Sequence, residues 1–147
     1  MNISKILSFF ICLSLLMFVS CVTDGGSAKP YYISSVEVTT GPVDDICNFA
    51  CGSFDFFNNS GKEIECVKFS ARVYDSEGEG VGLGSNGIRF SYSEHVSPYE
   101  KVLITFSLDK IIGPEVDDSY SLDFIFASEI QYADGTVWSD PLGLFCM

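Results

Sequence analysis

"FDFFNNSGKEIECVKFSARVYD", Phe54 to Asp75, contains two runs in which every second residue is apolar, separated by a polar turn. Phe54 and Phe56 share one face of the first run. The second run places Val67, Phe69, Ala71 and Val73 on one face and Cys66, Lys68, Ser70 and Arg72 on the other. A period of two predicts β-strands with one buried face. The turn between them predicts a hairpin, and we expect Phe54 to lie opposite Val67.

The rest of the chain repeats this pattern, with little helical periodicity. Five further β-rich runs cover residues 31–40, 87–92, 102–109 and 119–132 and a last segment that begins at Val137. Asp134-Gly135 between the last two runs is a strong hairpin signal. About seven strands with frequent turns predict an all-β fold, a single immunoglobulin-like antiparallel β-sandwich. The aromatic residues expected in its core are Phe54, Phe56, Phe69, Phe106, Phe124 and Phe126.

The middle of the chain also resembles a known family. Residues 54–82, "FDFFNNSGKEIECVKFSARVYDSEGEGVG", are similar to the FxLYD-type immunoglobulin-like domains of bacterial envelope lipoproteins and other exported proteins. Those domains share the Asn-x-Ser-Gly-Lys-like turn, the I-x-x-V-x-F strand and the YD-x-x-G turn. "IQYADGTVW", residues 130–138, is similar to the closing hairpin of related lipoproteins. The resemblance covers roughly Phe54 to Trp138. It implies a fold and an envelope location, and it carries no catalytic residues.

The N-terminus has the form of an export signal. Lys5 precedes an apolar run, Ile6 to Val19, which fits the h-region of a signal peptide. Val19-Ser20-Cys21 resembles the lipobox of bacterial lipoproteins, in which the cysteine is lipidated and becomes the mature N-terminus. "VTDGGSAKP" after it has the composition of a flexible tether. The sequence therefore predicts a protein anchored in a bacterial membrane, on the periplasmic or cell-surface side.

These features divide the chain into three parts. We expect residues 1–20 to form a lipoprotein signal peptide whose apolar run is helical. We expect residues 21–30 to be the lipidated cysteine and its tether, and residues 31–147 to be the β-sandwich domain. The net charge of −12 argues against nucleic acid as a partner and favours a basic one.

Four cysteines lie in the predicted domain: Cys47, Cys51, Cys66 and Cys146. Disulfides are typical of exported chains. In the expected hairpin, Cys51 and Cys66 are separated by roughly 13 Å, beyond the roughly 7 Å that a disulfide spans. Two pairings remain, Cys47–Cys51 with Cys66–Cys146 or Cys47–Cys66 with Cys51–Cys146. The first is preferred, because its local pair requires only a loop to bend.

Residues that could carry chemistry are sparse. His95 lies beside Ser93 and Glu94 in "SEHVSP", which reads as a solvated loop, and we expect it to be dispensable. Asp44-Asp45 and Asp117-Asp118 could meet at one end of the sandwich and bind calcium weakly. No cofactor is indicated. A small exported hydrolase or metal-dependent enzyme is the alternative to a binding protein.

Recognition is the favoured function. Tyr92, Tyr99 and Trp138 lie among polar neighbours at strand ends, and exposed Tyr and Trp are common in recognition surfaces. The sequence therefore predicts a non-catalytic binding or scaffolding module, whose partner is the membrane through Cys21 and another envelope or host protein.

Overall fold

The computed structural model describes residues 29–81, 87–114 and 119–146, and it is all-β. The predicted signal peptide, Cys21, most of the tether and Asp117-Asp118 lie outside these residues. No helix in the described ranges is long and apolar enough to span a membrane. The strands are β1 (Tyr31–Thr40), β2 (Ala50–Asn58), β3 (Ile64–Tyr74), β4 (Gly80–Val81), β5 (Ile88–Tyr92), β6 (Lys101–Ser107), β7 (Ser121–Tyr132) and β8 (Val137–Ser139). A short 3-10 helix, Leu144–Cys146, follows β8.

Two antiparallel sheets form a sandwich. One sheet has the order β1-β2-β6, and the other has the order β4-β3-β7-β8, with β5 also pairing with β3. Since β4 and β5 share one edge of β3, the strands occupy seven positions. The two sheets match the A-B-E and C-F-G order of immunoglobulin-like domains. The predicted immunoglobulin-like β-sandwich is confirmed.

The expected hairpin between β2 and β3 is wrong. β2 pairs with β1 and β6, whereas β3 belongs to the opposite sheet. The rings of Phe54 and Phe69 face each other across the core with centroids 5.2 Å apart. Strands that pair and strands that face each other show the same alternation, so the pattern alone could not separate the two arrangements.

Asn58 organises the connection between the sheets. It is fully buried, and its Nδ2 donates to the carbonyl oxygens of Lys62, at 2.8 Å, and Ser97, at 3.0 Å. Its Oδ1 accepts hydrogen bonds from the backbone N and the hydroxyl of Ser60. The Asn-Asn-Ser-Gly segment therefore forms a fixed crossing from one sheet to the other rather than a hairpin turn.

Aromatic rings fill the core between the sheets. The ring of Phe90 stacks on that of Phe106 with centroids 3.9 Å apart, and Phe69 stacks on Phe90 at 5.2 Å. On the other side of the sandwich, Tyr31 is fully buried and contacts Phe56 and Trp138, each with centroids 5.7 Å apart.

Two of the six predicted core aromatics lie elsewhere. β7 has register shifts against β3 between Lys68 and Phe69 and between Ser70 and Arg72. Each shift changes the phase of the alternation, because an extra residue moves the next side chain to the other face. Phe124, with a φ of 49°, is 60% exposed. Phe126 is opposite the outward-facing Ser70 and contacts Gly143.

Asp109 fixes the loop that precedes β2. Its carboxylate accepts hydrogen bonds from the backbone N of Asn48 at 2.7 Å, of Phe49 at 2.9 Å and of Ala50 at 3.2 Å. Partial burial raises the pKa of Asp109, but these donors outweigh it and lower the pKa from 3.8 to about 2.

We expect Gly52→Ala to destabilise the fold by about 1–3 kcal/mol through overpacking. A Cβ at Gly52 would lie 2.5 Å from the ring of Phe106. Gly113→Ala is the control, because a Cβ there meets nothing within 4 Å. Urea unfolding measures both variants, and a Gly52→Ala midpoint at or above that of wild type would contradict this packing.

Asp109→Ala should lower stability in a pH-dependent way. Because the folded-state pKa is depressed, the stabilisation by the carboxylate is complete above about pH 4 and is lost as the pH falls towards about 2. The difference in urea midpoint between wild type and Asp109→Ala should therefore be largest near neutral pH and shrink across that window. Asp45→Ala, which removes a charge from an exposed loop position, is the control. A difference that is constant with pH would argue against the role of Asp109.

Candidate functional site

The outer face of the five-stranded sheet carries a groove of about 430 Å³. It extends across β5, β3, β7 and β8, a width of about 14 Å for four strands. One row of paired residues crosses it: Ser91, Lys68, Glu129 and Ser139. Arg89 and Ser70 face each other in the neighbouring row, and Pro141 lines the far end.

The alternation of β3 forces these polar side chains outward. Phe69, between Lys68 and Ser70, is fully buried, so its two neighbours must lie on the opposite face. Residues directly paired across antiparallel strands share a face, which places Ser91 and Arg89 beside them. The aromatic core on one side of the sheet thus determines the polar groove on the other.

An ion pair lies in the middle of the groove. Lys68 Nζ is 2.8 Å from Glu129 Oε1, and both side chains are partly exposed. The hydrogen bond to Glu129 raises the pKa of Lys68. Ser128 and Ser139 are also engaged, since the Ser128 hydroxyl donates to the carbonyl of Lys68 and the Ser139 hydroxyl donates to that of Ser128.

Arg89 differs from its neighbours. It is exposed, and the structure gives its guanidinium no ion pair or hydrogen bond with any described residue. The hydroxyls of Ser70 and Ser91 likewise have no hydrogen-bond partner within residues 29–81, 87–114 and 119–146. One end of the groove therefore presents a cation and two hydroxyls that are free to bind a ligand.

The aromatic surface expected from the sequence is not assembled. Tyr92 and Trp138 lie in one row on the inner face of the sheet, with Val67 and Ile130 between them. Both are partly buried against the core, and Trp138 also contacts Phe145 at 5.8 Å. The rule of alternation applies to them too: their paired neighbours are core residues, so they face inward.

Tyr92 and Tyr99 lie in different environments. Burial and the neighbouring Glu94, which accepts a hydrogen bond from the hydroxyl at 3.1 Å, raise the pKa of Tyr92. Tyr99 is 64% exposed and lies in the loop before β6, near Gly61. Of the three expected surface residues, Tyr99 alone is exposed, and it is not part of the groove.

The cysteines follow the preferred pairing in part. Cys47 and Cys51 form a disulfide with Cα atoms 5.9 Å apart, and both are buried. Cys66 is free, and its Sγ lies 3.7 Å from the hydroxyl of Ser93. The predicted Cys66–Cys146 disulfide is therefore wrong. Cys66 faces outward beside the end of β5, where its thiol contacts the hydroxyl of Ser93. The side chain of Cys146 lies outside the described part.

The residues of the alternative enzyme hypothesis are dispersed. His95 Nδ1 contacts Glu63 Oε1 at 3.1 Å, and both side chains are more than half exposed. Ser93, the serine of the predicted Ser93-Glu94-His95 group, contacts Cys66 rather than His95. Within the described ranges, no three His, Cys, Asp or Glu side chains are grouped so that they could hold a metal ion.

Comparison with known proteins gives one structural similarity. No protein-family model matches the chain, and no curated protein matches it. A solved structure of a hypothetical protein from Peptoclostridium difficile 630 is similar with a TM-score of 0.48 and 11% identity. The match covers 78% of this chain and 88% of that one.

Proposed function

We propose that this chain is a membrane-anchored lipoprotein of the bacterial envelope whose β-sandwich is a non-catalytic binding module. The observation that carries the binding function is the groove on the outer face of β3, β5, β7 and β8, with its free guanidinium and hydroxyls. Polar groups that converge on a concave surface without internal partners are typical of binding sites. The Val19-Ser20-Cys21 motif supports the lipid anchor.

The point at which the chain enters the domain is compatible with this arrangement. The backbone N of Asn59 donates to the carbonyl of Pro30 at 2.8 Å, and its Nδ2 donates to that of Lys29 at 3.1 Å. Nearby, Lys62 forms an ion pair with Asp134 at 2.8 Å, which lowers the pKa of Asp134 to about 2. The connection that follows β2 and the turn that follows β7 are thus fixed where a tether would enter.

The groove lies on the flank of the domain rather than at this end. Lys68 and Ser70 are in the middle of β3, several residues from the connection that holds Lys29 and Pro30. A protein tethered through residues 21–30 would therefore present the groove sideways along the membrane. We infer that its partner is another envelope protein or a host protein that approaches from the side.

Cys21→Ala should abolish fatty-acid labelling and block processing of the signal peptide, because the thiol that would carry the lipid is absent. Metabolic labelling with an alkyne fatty acid measures this. Cys12→Ala, in the apolar run, is the matched control and should remain labelled. Recovery of unlabelled wild-type protein in the soluble fraction would refute the anchor.

A photo-cross-linking residue at Ser91 should capture a discrete partner in intact cells of the native bacterium. The matched control is the same residue at Leu103, which is 66% exposed on the outer face of the other sheet. Mass spectrometry identifies the adducts. Equal adducts from both positions, or none from Ser91, would count against the groove as the binding surface.

A further inference from the structure

The charge in the groove differs from that of the whole chain. The chain has a net charge of −12. On the outer face of β3 and β5, however, three cations follow one another: Lys68, Arg89 and Arg72. Lys68 is neutralised by Glu129, and Arg72 lies over the ring of Phe124 at 5.7 Å. Arg89, level with Ser70 between these two, is therefore the one of the three cations with neither an ion pair nor a ring contact among the described residues.

The surroundings of Arg89 favour one kind of ligand group. Ser70 is directly opposite Arg89, and Ser91 is two residues along the same strand. Their hydroxyls and the guanidinium fork can all donate hydrogen bonds. A planar carboxylate accepts two parallel hydrogen bonds from a guanidinium and has lone pairs left for hydroxyl donors.

The spacing of the cations favours an extended chain. Lys68, Ser70 and Arg72 are two residues apart along β3, which is about 7 Å per step. Arg89 lies on β5 directly opposite Ser70, so the three cations are also spaced by about one such step along the strands. Side chains on one face of an extended peptide repeat at the same distance. A peptide with acidic residues at alternate positions would thus place one carboxylate on Arg89 and the next near Arg72, which forms a ring contact but no ion pair with a described residue.

We infer that the groove binds an extended acidic segment of a partner protein, with a carboxylate held by Arg89, Ser70 and Ser91. This inference rests on the proposed binding function and specifies its ligand. Glu129 does not repel the acidic segment directly, because its charge is paired with that of Lys68. The rest of the acidic surface disfavours the same segment, so binding is confined to this face.

The test uses the full chain in dodecyl maltoside and a fluorescein-labelled peptide, Gly-Asp-Gly-Glu-Gly-Asp. Fluorescence anisotropy should show binding, and the peptide with Asn and Gln in place of the acids should bind at least roughly tenfold more weakly. Arg89→Ala should weaken binding of the acidic peptide by a similar factor. Arg89→Lys should be intermediate, because it keeps the charge but loses the fork.

Lys110→Ala is the matched control, since it removes an exposed charge outside the groove and should bind as wild type does. Thermal melting verifies that every variant is folded. The inference is overturned if the wild-type chain does not bind the acidic peptide, if Arg89→Ala binds it normally, or if Lys110→Ala weakens binding equally. Cross-linking from Ser91 is independent of this test. A partner captured there, without any binding of the acidic peptide, would support the proposed binding module and refute the proposed acidic ligand.

Discussion

The stack of Phe90 on Phe106 is the contact on which the rest of the sandwich depends. Among the described strands, β5 pairs only with β3 and β6 pairs only with β2, so each is at the edge of its sheet. The ring contact at 3.9 Å joins these two edges and closes one side of the core. Gly52 allows it, because any Cβ there would collide with Phe106. Tyr31 and Trp138 close the opposite side.

The same packing determines which side chains line the groove. Phe69 and Phe90 must face inward to complete the aromatic cluster, and the pleat then directs Lys68, Ser70, Arg89 and Ser91 outward. The position of Arg89 is therefore a consequence of core packing on the other side of the same strand. A change in the register of β5 by one residue would exchange the two sets and destroy both core and groove.

Alternation was sufficient to find most strands, because burial of one face is a local property of the sequence. It was insufficient to find β4, which has two residues, and to decide whether β2 and β3 pair or lie in opposite sheets. It also misplaced Phe124 and Phe126, since the register shifts in β7 depend on its partner β3. The groove was missed for the same reason. Lys68, Ser70, Arg89 and Ser91 are conspicuous as a group only when β3 and β5 are known to pair.

Net charge and local charge have different consequences for recognition. From the sequence, a charge of −12 favoured a basic partner, but salt at physiological strength screens exposed charges beyond about 8 Å. A ligand in the groove therefore responds mainly to Arg89 and its immediate neighbours, while the acidic remainder repels polyanions that lack a matching shape. An acidic surface with one free cation in a groove is thus selective: only a partner that can place a carboxylate at Arg89 gains a compensating contact.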